Sequence, residues 1–263
     1  MTPEDRRIRL DAAIAVAHEA GAIALQHYRN LGALTIVIKG LQDLVSEADR
    51  ETEDVIKTRL TTLFPEDAFV GEETGADGVD GHRGAWVVDP IDGTQPFLLG
   101  LPTWCVSIAY VAEGDIQVGV IFNPVTQDLY TAVRGEGAIR NGAPMRVNEA
   151  QLLSEGLTGL GCSARTSAQN LGYIAEHLRD AGGMFHRCGS GALTLAYVAT
   201  GQLIGYVEMH INAWDCLAAI LLVEEAGGRV SPFLADCGVT GGGQIVAGGP
   251  GVYDALVELL PIA

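Results

Sequence analysis

The sequence predicts an α+β fold built in layers, and three observations carry that reading. Helical and strand-like stretches mix without strict β-α-β alternation. Two apolar runs, Trp104–Val111 and Ile116–Phe122, flank Glu113-Gly114-Asp115 as the strands of an antiparallel hairpin flank their turn. The pattern then restarts after about Ala150, so an N-terminal α+β half covers about residues 1–150 and a C-terminal α/β half about 151–263.

The elements follow in order. Thr2-Pro3-Glu4-Asp5 combines an N-cap, a proline at the first helical position and acids in the first turn, and it opens a helix reaching about Tyr28. Its expected apolar stripe is Ile8, Ala12, Ala15, Val16 and Ile23. Leu34–Ile38 reads as a short strand. Ser46–Asp49 has capping-box spacing and opens a second helix, with Val55, Ile56, Leu60 and Leu63 on one face and an end at Phe64-Pro65. Ala68-Phe69-Val70 is a strand running into Gly71-Glu72-Glu73, and Ala85–Val88 is a second one running into Asp89. After the hairpin, Asp128–Val133 and Ala138–Asn141 continue a meander. Strands are expected near Leu157–Cys162, Met184–Arg187 and Leu203–Glu208, with helices at Ser167–Ala181, at Ser190–Thr200 (opened by Gly189), at Ala213–Ala226 and at Val252–Leu260. Gly241-Gly242-Gly243 reads as a loop.

Composition excludes several classes. Hydrophobic residues make up 48% of the 263, enough for a sizeable core, yet no apolar run approaches the roughly 20 residues that span a bilayer. The N-terminal MTPEDRRIRL lacks the charged-then-apolar order of a signal peptide. Five scattered cysteines without metal-ligand spacing read as reduced core thiols of a cytoplasmic protein. A net charge of −17 argues against nucleic acid and anionic membranes as partners. An acidic protein takes an anionic substrate only where bound cations locally reverse the field.

The chemistry concentrates in Ala85–Gly100, AWVVDPIDGTQPFLLG. A buried strand that stops at a proline and a glycine presents its last polar residues at the sheet's end, where sites tend to form. Asp89 and Asp92 are placed to face one point in space, as a divalent-cation site requires; they are equally placed to be turn formers, and both readings are open on this stretch alone. Glu72-Glu73 ends another strand, Asp49 lies in the first turn of one helix and Asp215 in that of another, where a carboxylate is commonly only a cap. If these acids meet, their like charges conflict, and a divalent cation removes the conflict. Hard oxygen ligands without cysteine or paired histidines suit Mg²⁺ better than Zn²⁺.

Gly71-Glu72-Glu73, Asp89-Pro90-Ile91-Asp92-Gly93-Thr94 and Trp214-Asp215 with Gly227-Gly228 behind it resemble the inositol monophosphatase family, from Asp43 to Gly228. The resemblance implies a layered αβαβα sandwich of the sugar phosphatase type in a single domain over 1–263, a homodimer, and two to three Mg²⁺ ions. By the same resemblance, Glu72, Asp89 and the Ile91 carbonyl would hold one ion; Asp89, Asp92 and Asp215 would hold a second; a weaker third would sit near Glu72. Thr94 and Asp49 would hydrogen-bond to the metal-bound water and activate it, and the amides of Gly93 and Thr94 would receive the phosphate, which Gly93 lets approach without a Cβ. Glu208 would accept bonds from substrate hydroxyls, and Gly189-Ser190-Gly191 would line the pocket. His210 and Asn212 lie nearby; a lone histidine there is more often structural. The chain departs from the family's usual Thr-Asn-Phe at Gln95-Pro96-Phe97, which bears on the alcohol released rather than on the chemistry.

The expected function is thus Mg²⁺-dependent hydrolysis of a small polyol phosphate, with inositol 1-phosphate as the default. Histidinol phosphate is the alternative substrate, since Glu208 could pair with an ammonium group. A non-catalytic metal- and phosphate-binding scaffold is the alternative of a different class. A dinucleotide-binding protein is disfavoured because no Gly-x-Gly-x-x-Gly joins a strand to a helix.

Overall fold

Capping chemistry sets the helix starts. In the structure, a computed structural model describing residues 1–34, 36–40, 43–81 and 83–261, Thr2 and Asp5 form a reciprocal capping box ahead of α1 (Pro3–Tyr28). Ser46 and Asp49 do the same ahead of α2 (Glu47–Leu63). Between them lies a two-stranded antiparallel ribbon, β1 (Ile36–Gly40) and β2 (Asp43–Ser46). The strand expected at Leu34–Ile38 therefore begins two residues later, and its Thr35 lies outside the described residues.

The N-terminal half continues with β3 (Ala68–Gly71), β4 (Gly75–Asp77), β5 (Ala85–Asp92), α3 (Thr94–Leu98), β6 (Cys105–Ala112), β7 (Asp115–Asn123), β8 (Asp128–Val133), β9 (Gly137–Arg140) and β10 (Ala143–Pro144). Its strands form an eight-stranded sheet in the order β10-β9-β8-β7-β6-β5-β3-β4. All its pairs are antiparallel except β3 with β5. The expected β6–β7 hairpin turns on Glu113 and Gly114, both at positive φ (56° and 76°), which suits the twist of the flanking strands. The C-terminal half contains β11 (Leu157–Leu160), α4 (Ala168–Asp180), β12 (Met184–His186), α5 (Gly191–Ala199), β13 (Gly205–Asn212), α6 (Ala213–Glu225), β14 (Arg229–Val230), α7 (Phe233–Cys237), β15 (Gly242–Gly248) and α8 (Tyr253–Val257). Its five-stranded sheet runs β12-β11-β13-β15-β14 and is mixed, with β11 parallel to both β12 and β13.

The layers stack α1 and α2, the eight-stranded sheet, α5 and α6, the five-stranded sheet, then α4 and α8. Strands buried on both faces send alternate residues into different cores. Trp86 and Val88 of β5 pack beneath α1 and α2, while Val87 joins the central core with α5 and α6. Helix α6 is apolar all round, with Leu217–Val223 buried throughout, because it has a sheet on each side. A Cβ on Gly119 of β7 would sit 2.5 Å from the Ala218 carbonyl oxygen, so glycine there sets how closely helix and sheet approach.

Several expectations are corrected by packing. The buried stripe of α1 is Ala13, Val16, Ala17, Ala20, Gly21 and Ala24, whereas Ile8 is exposed and Ala15 faces solvent. The helix turns its small residues inward because it lies close on β7: a Cβ on Gly21 would meet the Phe122 ring at 2.8 Å. Leu63 of α2 is exposed; the buried face is Ala48, Asp49, Thr52, Glu53, Ile56 and Leu60. Helix α5 is capped by Ser190 rather than opened by Gly189. The glycine run expected as a loop enters β15, where Gly242 and Gly243 pair with Asn212 and Ile211. Glycine suits position 242 because a Cβ there would lie 2.9 Å from the Ile211 carbonyl oxygen. Of the five cysteines, none of which is disulfide-bonded, only Cys105 and Cys216 are fully buried; the other three are half-buried.

Candidate active site

Two strand irregularities shape the site. In a regular strand, residues three apart face opposite sides. Between Asp89 and Asp92, β5 has two residues, Pro90 and Ile91, opposite the single Val106 that lies between Ser107 and Cys105 on β6. This bulge holds Pro90, which has no amide to donate, and it turns both carboxylates to one side. Strand β13 carries a matching bulge between Glu208 and Ile211 against β15.

Asp89, Asp92 and Asp215 converge, each with a carboxylate oxygen within 4.8 Å of the others. Asp89 and Asp92 are buried, and Asp215 is partly exposed. Asp89 Oδ1 accepts the Ile91 amide at 2.9 Å, so Asp89 is a turn former and a member of the acid cluster together. Asp92 lies against the start of α5: it accepts the Ala192 amide at 2.7 Å, the Gly191 amide at 3.3 Å and the Ser190 hydroxyl. Asp215 caps α6, its Oδ2 accepting the Asn212 amide and side-chain Nδ2, both at 3.1 Å.

Electrostatics follow from the burial. Burial, then the charges of Glu72, Asp92 and Asp215, pushes the Asp89 carboxyl well above its ordinary range. Asp92 is pushed up to about 7 by burial and by Asp215, against the pull of Ser190 and the α5 amides. Burial also raises Asp215, although a hydrogen bond from Asp89 favours its charged form. The acids thus share protons where a cation would let them all ionise. With oxygen donors only, the cluster fits a hard divalent cation.

The remaining candidates surround this cluster. Glu72 follows the end of β3; its amide donates to Val88 O at 3.2 Å, and its charge is felt by Asp89. It is not one of the three converging acids. Thr94 opens α3, with its hydroxyl 3.3 Å from the Ile91 carbonyl oxygen and 3.5 Å from Asp49 Oδ1. Asp49 is buried, its Oδ2 accepts the amide and hydroxyl of Ser46, and burial raises its pKa. Gly93 has a φ of 96°, and a Cβ there would lie 2.8 Å from the Thr103 carbonyl oxygen, so both conformation and space demand glycine.

A cavity of about 160 Å³ opens beside the acids, walled by Asp92 and Asp215 on one side and by Glu208, Arg187 and His210 among others. Gly189, Ser190 and Gly191 line it, as does Asn212. Glu208 is buried, accepts the Tyr206 hydroxyl, and is pushed up to about 8 chiefly by burial. The divergent Pro96 is buried in the first turn of α3, and a Cβ on Gly189 would lie 2.7 Å from its ring. The segment where this chain departs from the family pattern thus buttresses the pocket wall.

Two residues at this site escaped sequence reasoning. Tyr206, which holds Glu208, reads simply as a strand aromatic. Glu53 accepts the amides of Glu73 at 2.8 Å and Thr74 at 2.7 Å, beneath the Gly71-Glu72-Glu73 turn. A signal for it exists: Glu53 sits three residues before Ile56 and seven before Leu60, a carboxylate on an apolar stripe.

An αβαβα sandwich that gathers acids from one strand end and a helix start defines a class of phosphoric monoester hydrolase. The chain belongs to the inositol monophosphatase family, whose model matches residues 5–257. It is similar to an inositol-1-monophosphatase of Mesorhizobium japonicum, 36% identical over 256 residues and 96% of each chain. It is also similar to the Nus factor SuhB of Escherichia coli, 37% identical over 251 residues and 94% of each chain. In three dimensions it resembles the extragenic suppressor protein suhB of Bartonella henselae, with a TM-score of 0.89 and 31% identity over 96% of this chain and 98% of that one.

Proposed function

We propose that the protein is a Mg²⁺-dependent phosphatase of a small polyol phosphate, with inositol 1-phosphate as the reference substrate. The observation that carries this reading is the convergence of Asp89, Asp92 and Asp215, two of which, Asp92 and Asp215, line a cavity that Glu208 also lines. Asp89, Asp92 and Asp215, with Glu72 and the Ile91 carbonyl beside them, would hold two to three Mg²⁺ ions. When bound, the cation lowers the pKa of water and neutralises charge on the transferring phosphoryl group.

The chain's own residues supply the rest. The Thr94 hydroxyl, between the Ile91 carbonyl and Asp49, orients the attacking water, and the raised pKa of Asp49 suits it to take up a proton. The amides of Gly93 and Thr94 face the phosphate. The Tyr206 hydroxyl orients Glu208, which accepts from substrate hydroxyls. A histidinol-type ammonium would meet Asp215 and Asp92 as well as Arg187 along the cavity that Glu208 lines, so a substrate panel decides between the two alcohols. We extend the proposal to a single cytoplasmic domain acting as a homodimer. The central core, which draws Val70 and Val87 from one sheet and Tyr206 and Ile245 from the other, supports the first part. The exposed Leu99, Met184 and Phe185 are surface that a second copy would cover.

A panel of small phosphomonoesters, assayed for phosphate release with and without millimolar Mg²⁺, tests the reading. Release that requires Mg²⁺ and is fastest on polyol phosphates is expected. No release from any member would favour the non-catalytic scaffold. Within the panel, Glu208→Gln is expected to reorder substrates by about tenfold, the worth of one neutral hydrogen bond of about 1 kcal/mol or slightly more, while leaving the Mg²⁺ requirement in place. An unchanged ranking removes Glu208 from the substrate wall.

A further inference from the structure

We propose that Glu53 is a positioning residue that aims Glu72 at the acid cluster, an inference that rests on the proposed role of Glu72 as a metal ligand. Glu53 is fully buried on α2, one helical turn beyond Asp49. Its two carboxylate oxygens accept two successive amides, Oε2 from Glu73 and Oε1 from Thr74. Bonds from amides to a carboxylate are stronger than neutral ones, and the paired geometry fixes direction as well as distance.

Gly71 completes the arrangement. A Cβ there would lie 2.5 Å from the Glu53 carboxyl carbon and from one of its oxygens. The carboxylate therefore occupies the space a side chain would need, and glycine at the first position of Gly-Glu-Glu serves Glu53 directly. On the other side the Glu72 amide donates to Val88 O, the residue before Asp89. Glu72 is thus held between two anchors: β5 ties its own amide, and Glu53 ties the next two. Asp49 and Glu53 occupy successive turns of one buried face, so a single helix supports both the Thr94 side and the Glu72 side of the site. A charge buried at this position contributes nothing to apolar packing, and its bonds go to the one turn that carries Glu72.

The test compares Glu53→Gln, Glu72→Gln and Gly71→Ala in the full chain. Each is titrated with Mg²⁺ for phosphate release and with Mn²⁺ alone for direct binding, followed by the paramagnetic resonance of free Mn²⁺. Glu53→Gln keeps the shape but turns its carboxamide NH2, a donor, toward one of the two backbone amide donors. It is expected to raise the Mg²⁺ concentration at half activity by about 10–100-fold, as groups that orient metal ligands do. Mn²⁺ binding should weaken in parallel, while the maximal rate at saturating Mg²⁺ falls far less. Gly71→Ala, which displaces the carboxylate, should shift metal affinity in the same direction. Lower thermal stability with unchanged Mg²⁺ and Mn²⁺ affinity overturns the inference. If Glu53→Gln does not fold, Glu53→Asp decides, since it keeps the charge but cannot reach both amides; parent-like metal affinity in it overturns the proposal too. If Glu72→Gln itself leaves metal affinity unchanged, the reading of Glu72 fails first, whereas a shift in Glu72→Gln alone sinks only the role of Glu53.

Discussion

Asp89→Asn is expected to lower phosphate release at saturating Mg²⁺ by about 10³-fold or more, since each decade of rate is about 1.4 kcal/mol and a ligand shared between metal ions serves several kcal/mol of charge stabilisation. The same substitution should make the metal-free protein more stable. Asp89 is buried among Glu72, Asp92 and Asp215, and its charge is opposed by burial and by each of them. An asparagine keeps the oxygen that accepts the Ile91 amide and removes the like charge. A higher melting temperature in EDTA, with a lost response to Mg²⁺, is the pair of changes to look for; sites that sacrifice stability for function show this trade. Near-parental turnover at saturating Mg²⁺ would sink the reading of Asp89 as the shared ligand.

Metal-free protein should lose stability as pH rises from about 4 to 8. Asp92 holds its proton up to about 7 and Glu208 up to about 8, and Asp89 also titrates well above its ordinary range. In the unfolded chain such carboxyls titrate near 4. Between those limits the folded state binds more protons than the unfolded state, so the unfolding free energy falls with pH. The stabilising difference is complete below about pH 4 and is lost as pH climbs through the folded-state values. The carboxyls held down by hydrogen bonds, Asp5 and Glu19, have an influence that is already complete above about pH 4 and leave this window unaffected. A loss on the order of several kcal/mol corresponds to a fall of roughly 10 °C in melting temperature for a chain of this size. Mg²⁺ requires ionised ligands, so its thermal stabilisation should be larger at pH 8 than at pH 5. Differential scanning calorimetry in EDTA and in Mg²⁺ at both values checks this; a flat metal-free profile, or an equal Mg²⁺ effect at both, would count against the proton-sharing cluster.

Much of this protein is legible in short-range chemistry. The capping boxes at Thr2 and Ser46, the Glu113-Gly114 hairpin and the strand that ends in Asp89-Pro90-Ile91-Asp92-Gly93-Thr94 involve residues a few positions apart, and such interactions depend little on the rest of the chain. The acids at strand ends and helix starts are recognisable for the same reason. Packing is another matter. The inward face of α1 went to alanines because Phe122, a hundred residues away, lies against Gly21. Gly242 and Gly243 became strand residues because Asn212 and Ile211 pair with them.

The site divides along the same line. Residue types and local spacing mark Asp49, Glu72, Asp89, Asp92 and Asp215 as candidate carboxylates and suggest a hard cation, while the resemblance of the Asp89–Thr94 motif adds Thr94 and the family. They do not tell which way Asp89 and Asp92 face: that depends on a bulge, and a bulge exists only relative to the partner strand β6. Nor do they tell that Asp92 lies against the start of α5, that Tyr206 holds Glu208, or that Glu53 holds the turn bearing Glu72. Each of these is a polar group whose cost of burial is met by a partner from a different element, and that pairing exists only once the layers have closed over it.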